Sequence, residues 1–266
     1  MSNNKTMPRL SESDKMAGSG FFEGIISIRA ILSCASPKRR INKIFYAAER
    51  LCSNKKEFGW LKAMSATHTF EIEILPRAEI DSMAFGTTHG GIIASCSDRE
   101  YPELTSEFIE KTRKKGFYAM IEGIEDPFNF GYAVRSIYAA GADAIILSKR
   151  NWMNAAGVVC KSSAGASELC EIAISDGADA AKIFRASGFR IICSDIKNSV
   201  SVYESDLSFP ILLIIGGEKR GISRTLLNKA DEIVRLDYGR EFPEALSAAS
   251  AAAILSYEVL RQNKAK

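Results

Sequence analysis

The chain has few of the residues on which metal and redox chemistry depend. Among its 266 residues there are only two histidines, and its six cysteines include no Cys-x-x-Cys pair. That spacing argues against a zinc ribbon or finger, and no metal site is expected. Four of the cysteines, Cys34, Cys96, Cys160 and Cys193, stand in apolar stretches. They read as buried free thiols in a reducing cytoplasm. No apolar run reaches membrane-spanning length, and residues 1–20 lack the apolar core of a signal peptide. Those residues are polar and read as a disordered tail. There is no internal repeat and no low-complexity tract. Neither sign of charge dominates: Lys+Arg is 35, Asp+Glu is 32 and the net charge is +3. Nucleic-acid binding is permitted but not argued by that total, so the placement of charge must decide.

What is present is a globular composition, 46% hydrophobic, with a change of texture along the chain. Residues 21–96 read as a small α/β unit. Phe22 to Cys34 and Lys55 to Ala66 have helical spacing, while Ile41–Tyr46, Thr69–Leu75 and Ile92–Cys96 read as strands. Residues 97–116 are polar and charged and read as the linker between domains, with Glu103 to Lys115 either a charged helix or plain linker. From Phe117 onward strands alternate with helices. Strands are predicted at 117–124, 143–148, 171–174, 189–194, 211–216 and 232–237. Helices are predicted at 128–140, 154–164, 177–187, 223–229 and 245–262. The alternation implies an α/β fold with a mostly parallel sheet over residues 117–266.

Two segments carry the most chemistry. In Ile211–Ser223 a buried strand runs into Gly216-Gly217-Glu218-Lys219-Arg220-Gly221. This is neither a P-loop, whose lysine position is Ile222, nor the dinucleotide fingerprint, whose second glycine is Glu218. It reads either as a turn that lets a ligand approach the backbone or as a plain strand-to-helix turn capped by Ser223. In Asp126–Gly141, proline fixes an extended start and Asn129 is placed to cap a helix. Val134, Ile137, Tyr138 and Gly141 share one face of that helix, and Arg135 lies off it. The final helix, from Ala245 to Gln262, is apolar almost all round. It suits a core position or a dimer interface.

Together these segments resemble the TrmH/SpoU family, the knotted SPOUT class of RNA methyltransferases. Its first motif, Asn-x-Gly followed by x-x-x-Arg, stands as Asn129-Phe130-Gly131-Tyr132-Ala133-Val134-Arg135. Its second, Gly-x-Glu-x-x-Gly-Ile, stands as Gly216 to Ile222. The third, usually Ser-Leu-Asn, is Ala245-Leu246-Ser247 here. Ser163-Ala164-Gly165-Ala166 and Thr88-His89-Gly90-Gly91-Ile92 also fit family segments, and residues 21–96 look like its ribosomal-protein-like RNA-binding domain.

The resemblance implies a trefoil-knotted C-terminal domain, a homodimer and S-adenosylmethionine as cofactor. The implied reaction is methyl transfer to a ribose 2′-hydroxyl of rRNA or tRNA. It carries Asn129, Arg135 and Glu218 over as catalytic positions. Ser194, Gly216, Leu236, Leu246 and Ser247 carry over as cofactor-binding positions. Arg135 is expected to act as a cation on phosphate and on the developing alkoxide, with Glu218 holding Arg135 or the substrate. Asp237 replaces a family proline, Ser247 an asparagine and Ala245 a serine. Those departures leave open an RNA-binding protein of the same fold with weak or lost catalysis. Two basic clusters, Lys38-Arg39-Arg40 with Lys43, and Lys111, Arg113, Lys114 and Lys115, read as RNA contacts or as solvated charge.

Overall fold

The computed structural model describes residues 20–34, 38–148 and 155–264; the expected tail, residues 1–19, lies outside the described residues. The chain divides into two compact units, one running to Arg99 with the segment ending at Lys161, the other built from Glu100 onward without that segment.

The first unit contains β1 (Phe21–Glu23), α1 (Gly24–Ser33), β2 (Ile41–Ala47) and α2 (Arg50–Ser53). It continues with α3 (Lys55–His68), β3 (Glu71–Leu75), α4 (Arg77–Met83) and β4 (Ile92–Cys96). Its sheet has the order β1-β4-β2-β3, with β3 parallel to β2 and β4 antiparallel to both β2 and β1. Phe22, Ile28, Ile44, Tyr46, Leu61 and Ile92 fill the core. β1, α2 and α4 escape sequence reading because each is too short to show a period. His89 is buried: its Nδ1 accepts from the Gly91 amide at 3.2 Å, and its Nε2 lies 3.0 Å from the Asp81 carboxylate. Gly90 and Gly91 both have positive φ, which explains the two glycines after the histidine.

The remaining elements are α5 (Ser106–Thr112), β5 (Phe117–Glu122), α6 (Pro127–Ala139), β6 (Ala144–Leu147), α7 (Ala156–Ser162) and α8 (Ala166–Leu169). After them come β7 (Ile172–Ile174), α9 (Gly177–Ala186), β8 (Arg190–Ser194) and β9 (Val200–Ser201). The chain closes with β10 (Ile211–Gly216), α10 (Arg224–Leu227), β11 (Glu232–Arg235) and α11 (Ala248–Lys264). The second unit's sheet has seven strands in the order β7-β6-β5-β10-β8-β11-β9, and every neighbouring pair is parallel. Tyr118 to Ile121 and Ile211 to Ile215 are buried without alternation, as strands covered on both faces require. The expected α/β class with a parallel C-terminal sheet is therefore present.

Several local expectations change. The cap of α6 is Asp126, whose Oδ1 accepts from the Asn129 amide at 2.7 Å; Asn129 sits inside the first turn. Proline at the first helical position places the cap one residue ahead of it. The buried stripe of α6 is Phe130, Ala133, Val134 and Ile137, while Tyr138 is exposed. The last helix begins at Ala248, not Ala245. It packs on α6 and β10, burying Ala252, Leu255 and Val259. Of the two readings of Glu103 to Lys115, the helix is present, as α5, and Leu104 donates its amide to the Ile174 carbonyl at 2.8 Å, which covers the β7 edge. All six cysteines are free. The buried ones are Cys96, Cys160, Cys170 and Cys193, with Cys34 half-buried because it follows the end of α1. Burial pushes the Cys193 thiol up to about 12. Among the described residues no helix is long and apolar enough to cross a membrane.

Candidate active site

The strand order of the second sheet brings the carboxyl ends of β5, β10, β8 and β11 side by side. In an open parallel sheet this edge collects ligands. Here the loops beyond it build one cleft of about 520 Å³. Ser194, Asp195 and Ile196 line it from β8, and Gly216, Gly217, Glu218 and Gly221 from the turn after β10. Leu236, Asp237, Tyr238, Leu246 and Ala248 close it from the segment between β11 and α11.

The turn after β10 is glycine-rich for a reason internal to the chain. A Cβ on Gly216 would stand 2.8 Å from the Gly221 carbonyl carbon, and one on Gly217 would stand 2.1 Å from the Gly123 carbonyl oxygen. Both obstacles are backbone and cannot swing away. The Gly217 amide donates to the Glu122 carbonyl, and the Ser223 amide to the Glu122 carboxylate at 3.3 Å. Ser223 occupies the cap position of α10, but its side chain makes no capping hydrogen bond.

The three motifs meet at one carboxylate. Glu218 Oε1 accepts from Asn129 Nδ2 at 3.2 Å and from the Ala248 amide at 3.1 Å. The first motif, the second motif and the start of α11 are thus tied by a single oxygen. The Ala248 amide is one of the orphan donors that every helix start presents, and a carboxylate there also complements the helix dipole. Ser247 caps α11 locally: its Oγ accepts from the Ser250 amide at 3.1 Å and lies 3.0 Å from Ser250 Oγ. The Leu246 amide donates to Tyr238 Oη at 3.0 Å, which fixes the strand of backbone over the cleft. Asp237, in place of the family proline, is paired with Arg235 Nε at 3.0 Å.

Of the residues singled out in the sequence, Ser194, Gly216, Leu236, Leu246 and Glu218 line the same cleft. Asn129 reaches that group through Glu218, and Ser247 adjoins it as the cap of α11. Arg135 does not line the cleft. It is exposed on α6, and among the described residues its guanidinium has no hydrogen-bond or ion-pair partner. Glu218 is bound to Asn129 and Ala248 and not to Arg135, one of the two partners expected for it. Glu122, Asp195 and Tyr238 were missed. A charged residue ending an otherwise apolar strand was the one signal available for Glu122.

The basic clusters are largely spent on structure. Arg39 is 5% exposed, donates to the Ser97 carbonyl at 2.7 Å and lies 4.6 Å from the Phe22 ring. Lys43 is shared between Glu71 and Glu73, both at 3.2 Å. Lys111 pairs with Glu107 and Lys114 with Glu110 across one helical turn, and Arg113 with Asp143. A run of cations in sequence does not reveal the acids that the fold brings to it.

These features define a class: a parallel α/β protein with a ligand cleft at the strand ends, closed by glycine turns and an acidic clasp. The chain belongs to the SpoU rRNA Methylase family, which its residues 116–257 match. Residues 23–102 match a second family, described as RNA 2′-O ribose methyltransferase substrate binding. YacO of Bacillus subtilis, placed in the TrmH family of tRNA/rRNA methyltransferases, is 26% identical over 241 residues, covering 90% of this chain and 95% of YacO. The 23S rRNA (guanosine-2′-O-)-methyltransferase RlmB of Pseudomonas putida is 26% identical, covering 91% of this chain and 96% of RlmB. In fold, the chain resembles the AdoMet-bound rRNA methyltransferase of Sinorhizobium meliloti, with a TM-score of 0.74 at 19% identity over 94% of this chain and 93% of that one.

Proposed function

We propose that this protein transfers a methyl group from S-adenosylmethionine to a ribose 2′-hydroxyl of ribosomal or transfer RNA. The observation that carries this reading is the junction at Glu218, where the three motifs of the family meet beside a cleft. S-adenosylmethionine, when bound, supplies an electrophilic methyl group on a sulfonium. The cleft suits such a ligand. Leu236, Leu246, Ala248 and Leu255 give it an apolar wall, and Asp195, Glu218, Asp237 and Glu244 outnumber Arg235 as charged lining, favouring a cation. Ser194, Gly216, Leu236 and Leu246 are the cofactor-binding positions in this proposal, with Ser247 beside them.

The chain's own residues then have separable tasks. Asn129 and Glu218 hold the turn after β10 against α6 and α11, so that a bound ligand meets a fixed surface. Arg135 keeps its five donors free, and it acts as a cation that orients an RNA phosphate and stabilises the emerging alkoxide. A guanidinium is not a base in proteins, so the hydroxyl proton passes to water and not to Arg135.

The domain roles belong to the same proposal: residues 21–96 bind RNA, 97–116 connect, and 117–266 form the methyltransferase domain. The position of β10 between β5 and β8 supports a knotted path there. A homodimer is supported by the packed pair α6 and α11, which leaves Tyr132 and Tyr257 about half exposed (49% and 51%). Sedimentation showing only the 29.1 kDa monomer at micromolar concentration would contradict it. Six free thiols support a cytoplasmic site of action. The test of function is transfer of labelled methyl from S-adenosylmethionine to deproteinised RNA, with nuclease mapping of the labelled nucleotide. Asp237 and Ser247 favour the alternative, an RNA-binding protein without catalysis. Calorimetry that shows no cofactor binding would select it.

A further inference from the structure

In the two runs of basic residues Lys43, Lys111, Arg113 and Lys114 are paired with acids and Arg39 is buried; a further group of cations in the first unit lies elsewhere. Lys55, Lys56 and Lys62 all lie on α3, are exposed, and have no acid partner among the described residues. Arg29 of α1 joins them: its guanidinium lies 5.4 Å from the ring of Trp60 on α3. Lys62 lies 4.8 Å from the ring of Phe58. Contacts of this kind hold a cation over a ring without cancelling its charge. The one acid of α3, Glu57, is turned inward, where its carboxylate takes the Arg50 guanidinium at 2.7 Å and the Tyr46 hydroxyl at 3.2 Å.

The outward stripe of α3 is Lys55, Gly59, Lys62 and Ala66, successive members about one helical turn apart, away from the buried Leu61. Lys56 and Ala63 flank it. A Cβ on Gly59 would meet nothing within 4 Å. The stripe is thus positive, smooth and open. Stability does not explain it, because Lys55 and Lys56 stand in the first turn of the helix, where the dipole disfavours cations. A local rule broken without a structural gain points to a binding role.

We propose that this face of α3, with Arg29, docks the phosphodiester backbone of the substrate RNA. The proposal rests on the RNA-methylating reading above. Its occupant is RNA and not an anionic bilayer, because the stripe itself offers only glycine and alanine between its lysines, and the rings beside it, Phe58 and Trp60, are half-buried with Lys62 and Arg29 over them. Three lysines on small residues let a sugar–phosphate chain lie close along the helix, giving affinity without sequence choice.

The test is binding of deproteinised ribosomal RNA by the full chain across a salt series. It compares wild type with the triple variant Lys55→Glu, Lys56→Glu, Lys62→Glu. The comparison variant is Lys111→Ala, Lys114→Ala, whose lysines already have acid partners. Thermal melting and calorimetry with S-adenosylmethionine verify that fold and cofactor binding persist in each. The triple variant is expected to lose tenfold or more in RNA affinity, with the slope of log K against log salt reduced by about two, at roughly 0.7 per phosphate contact. Unchanged affinity and slope in the triple variant, or an equal loss in the comparison variant, overturns the α3 surface alone. Wild type that binds cofactor but no RNA overturns the functional reading with it. Wild type that sediments with phosphatidylserine vesicles, at salt where it releases RNA, assigns the face to a membrane and overturns the proposal.

Discussion

The two units use their charges in opposite ways. In the second, the decisive charged group is shared: one oxygen of Glu218 holds Asn129 and the start of α11. In the first, surface acids pair with cations away from α3, as Glu71 and Glu73 do with Lys43, Glu57 of α3 is taken by Arg50, and among the described residues Lys55, Lys56 and Lys62 are left without an acid partner. The second unit is built around a point that must not move. The first presents a surface that tolerates movement, since a phosphate chain can shift along it. Substitutions in the second unit should therefore have large, local effects, and those on the surface of the first small, salt-dependent ones.

The largest effect is expected at Gly217. In Gly217→Ala the new methyl meets the Gly123 carbonyl oxygen at 2.1 Å, so the turn after β10 cannot keep its place. Calorimetry should find no S-adenosylmethionine binding, and melting should fall by several degrees. Retained cofactor affinity would show that the turn does not shape the cleft. Gly216→Val should act alike, through the chain's own backbone at Gly221 and not only through contact with a ligand.

Next is Arg135→Ala. Because its guanidinium has no partner among the described residues, its loss should leave melting and cofactor affinity unchanged. Methyl transfer should fall a hundredfold or more, about 3 kcal/mol of barrier. Near-normal turnover in a single-turnover assay would remove Arg135 from the reaction.

Arg39→Ala sharpens the contrast between buried and exposed cations. It removes a charged hydrogen bond to Ser97 and a ring contact with Phe22, at a cost of about 2 kcal/mol of stability. Denaturant melts should show that loss, while the salt slope of RNA binding stays put. A changed slope with normal stability would return Arg39 to the RNA surface.

The smallest effect is expected from Ser247→Asn. Asparagine caps a helix about as well as serine, so melting should stay within about 0.5 kcal/mol. Methyl transfer should be unchanged or raised. A clear loss would mean that the clasp with Ser250 has become part of a site rebuilt around serine.

The second unit was the more legible in sequence, and the reason is physical. Strands buried on both faces leave unbroken apolar runs such as Ile211 to Ile215, and tight turns leave glycines such as Gly216 and Gly217. Both are local signals. The tie from Asn129 through Glu218 to Ala248 joins positions far apart in the chain, and no spacing encodes it. Local competition decides the outcome at Asn129, where Asp126 is the better-placed cap, and at Ala245, where the chain stays open over the cleft until Ser247. In the first unit the Lys38-Arg39-Arg40 run drew the eye because it is contiguous. The α3 lysines did not, because a helical face scatters its members through the sequence. β9 spans two residues and gave no pattern to find.

The place of β10 has a consequence for how the protein is made. Ile211 to Gly216 is the strand that joins β5 to β8, aligned along its whole length with Phe117 to Glu122. It emerges from the ribosome long after β5, β6 and β7, so those strands wait with the β5 flank unpaired. Bridging so wide a gap in the chain makes closure slow, since loop entropy must be met before the pairing returns it. Until then the nascent chain displays an apolar edge of the kind that chaperones hold and that aggregation exploits. A message truncated before Ile211 should accordingly leave the second unit's sheet unformed and that part of the chain directed to degradation.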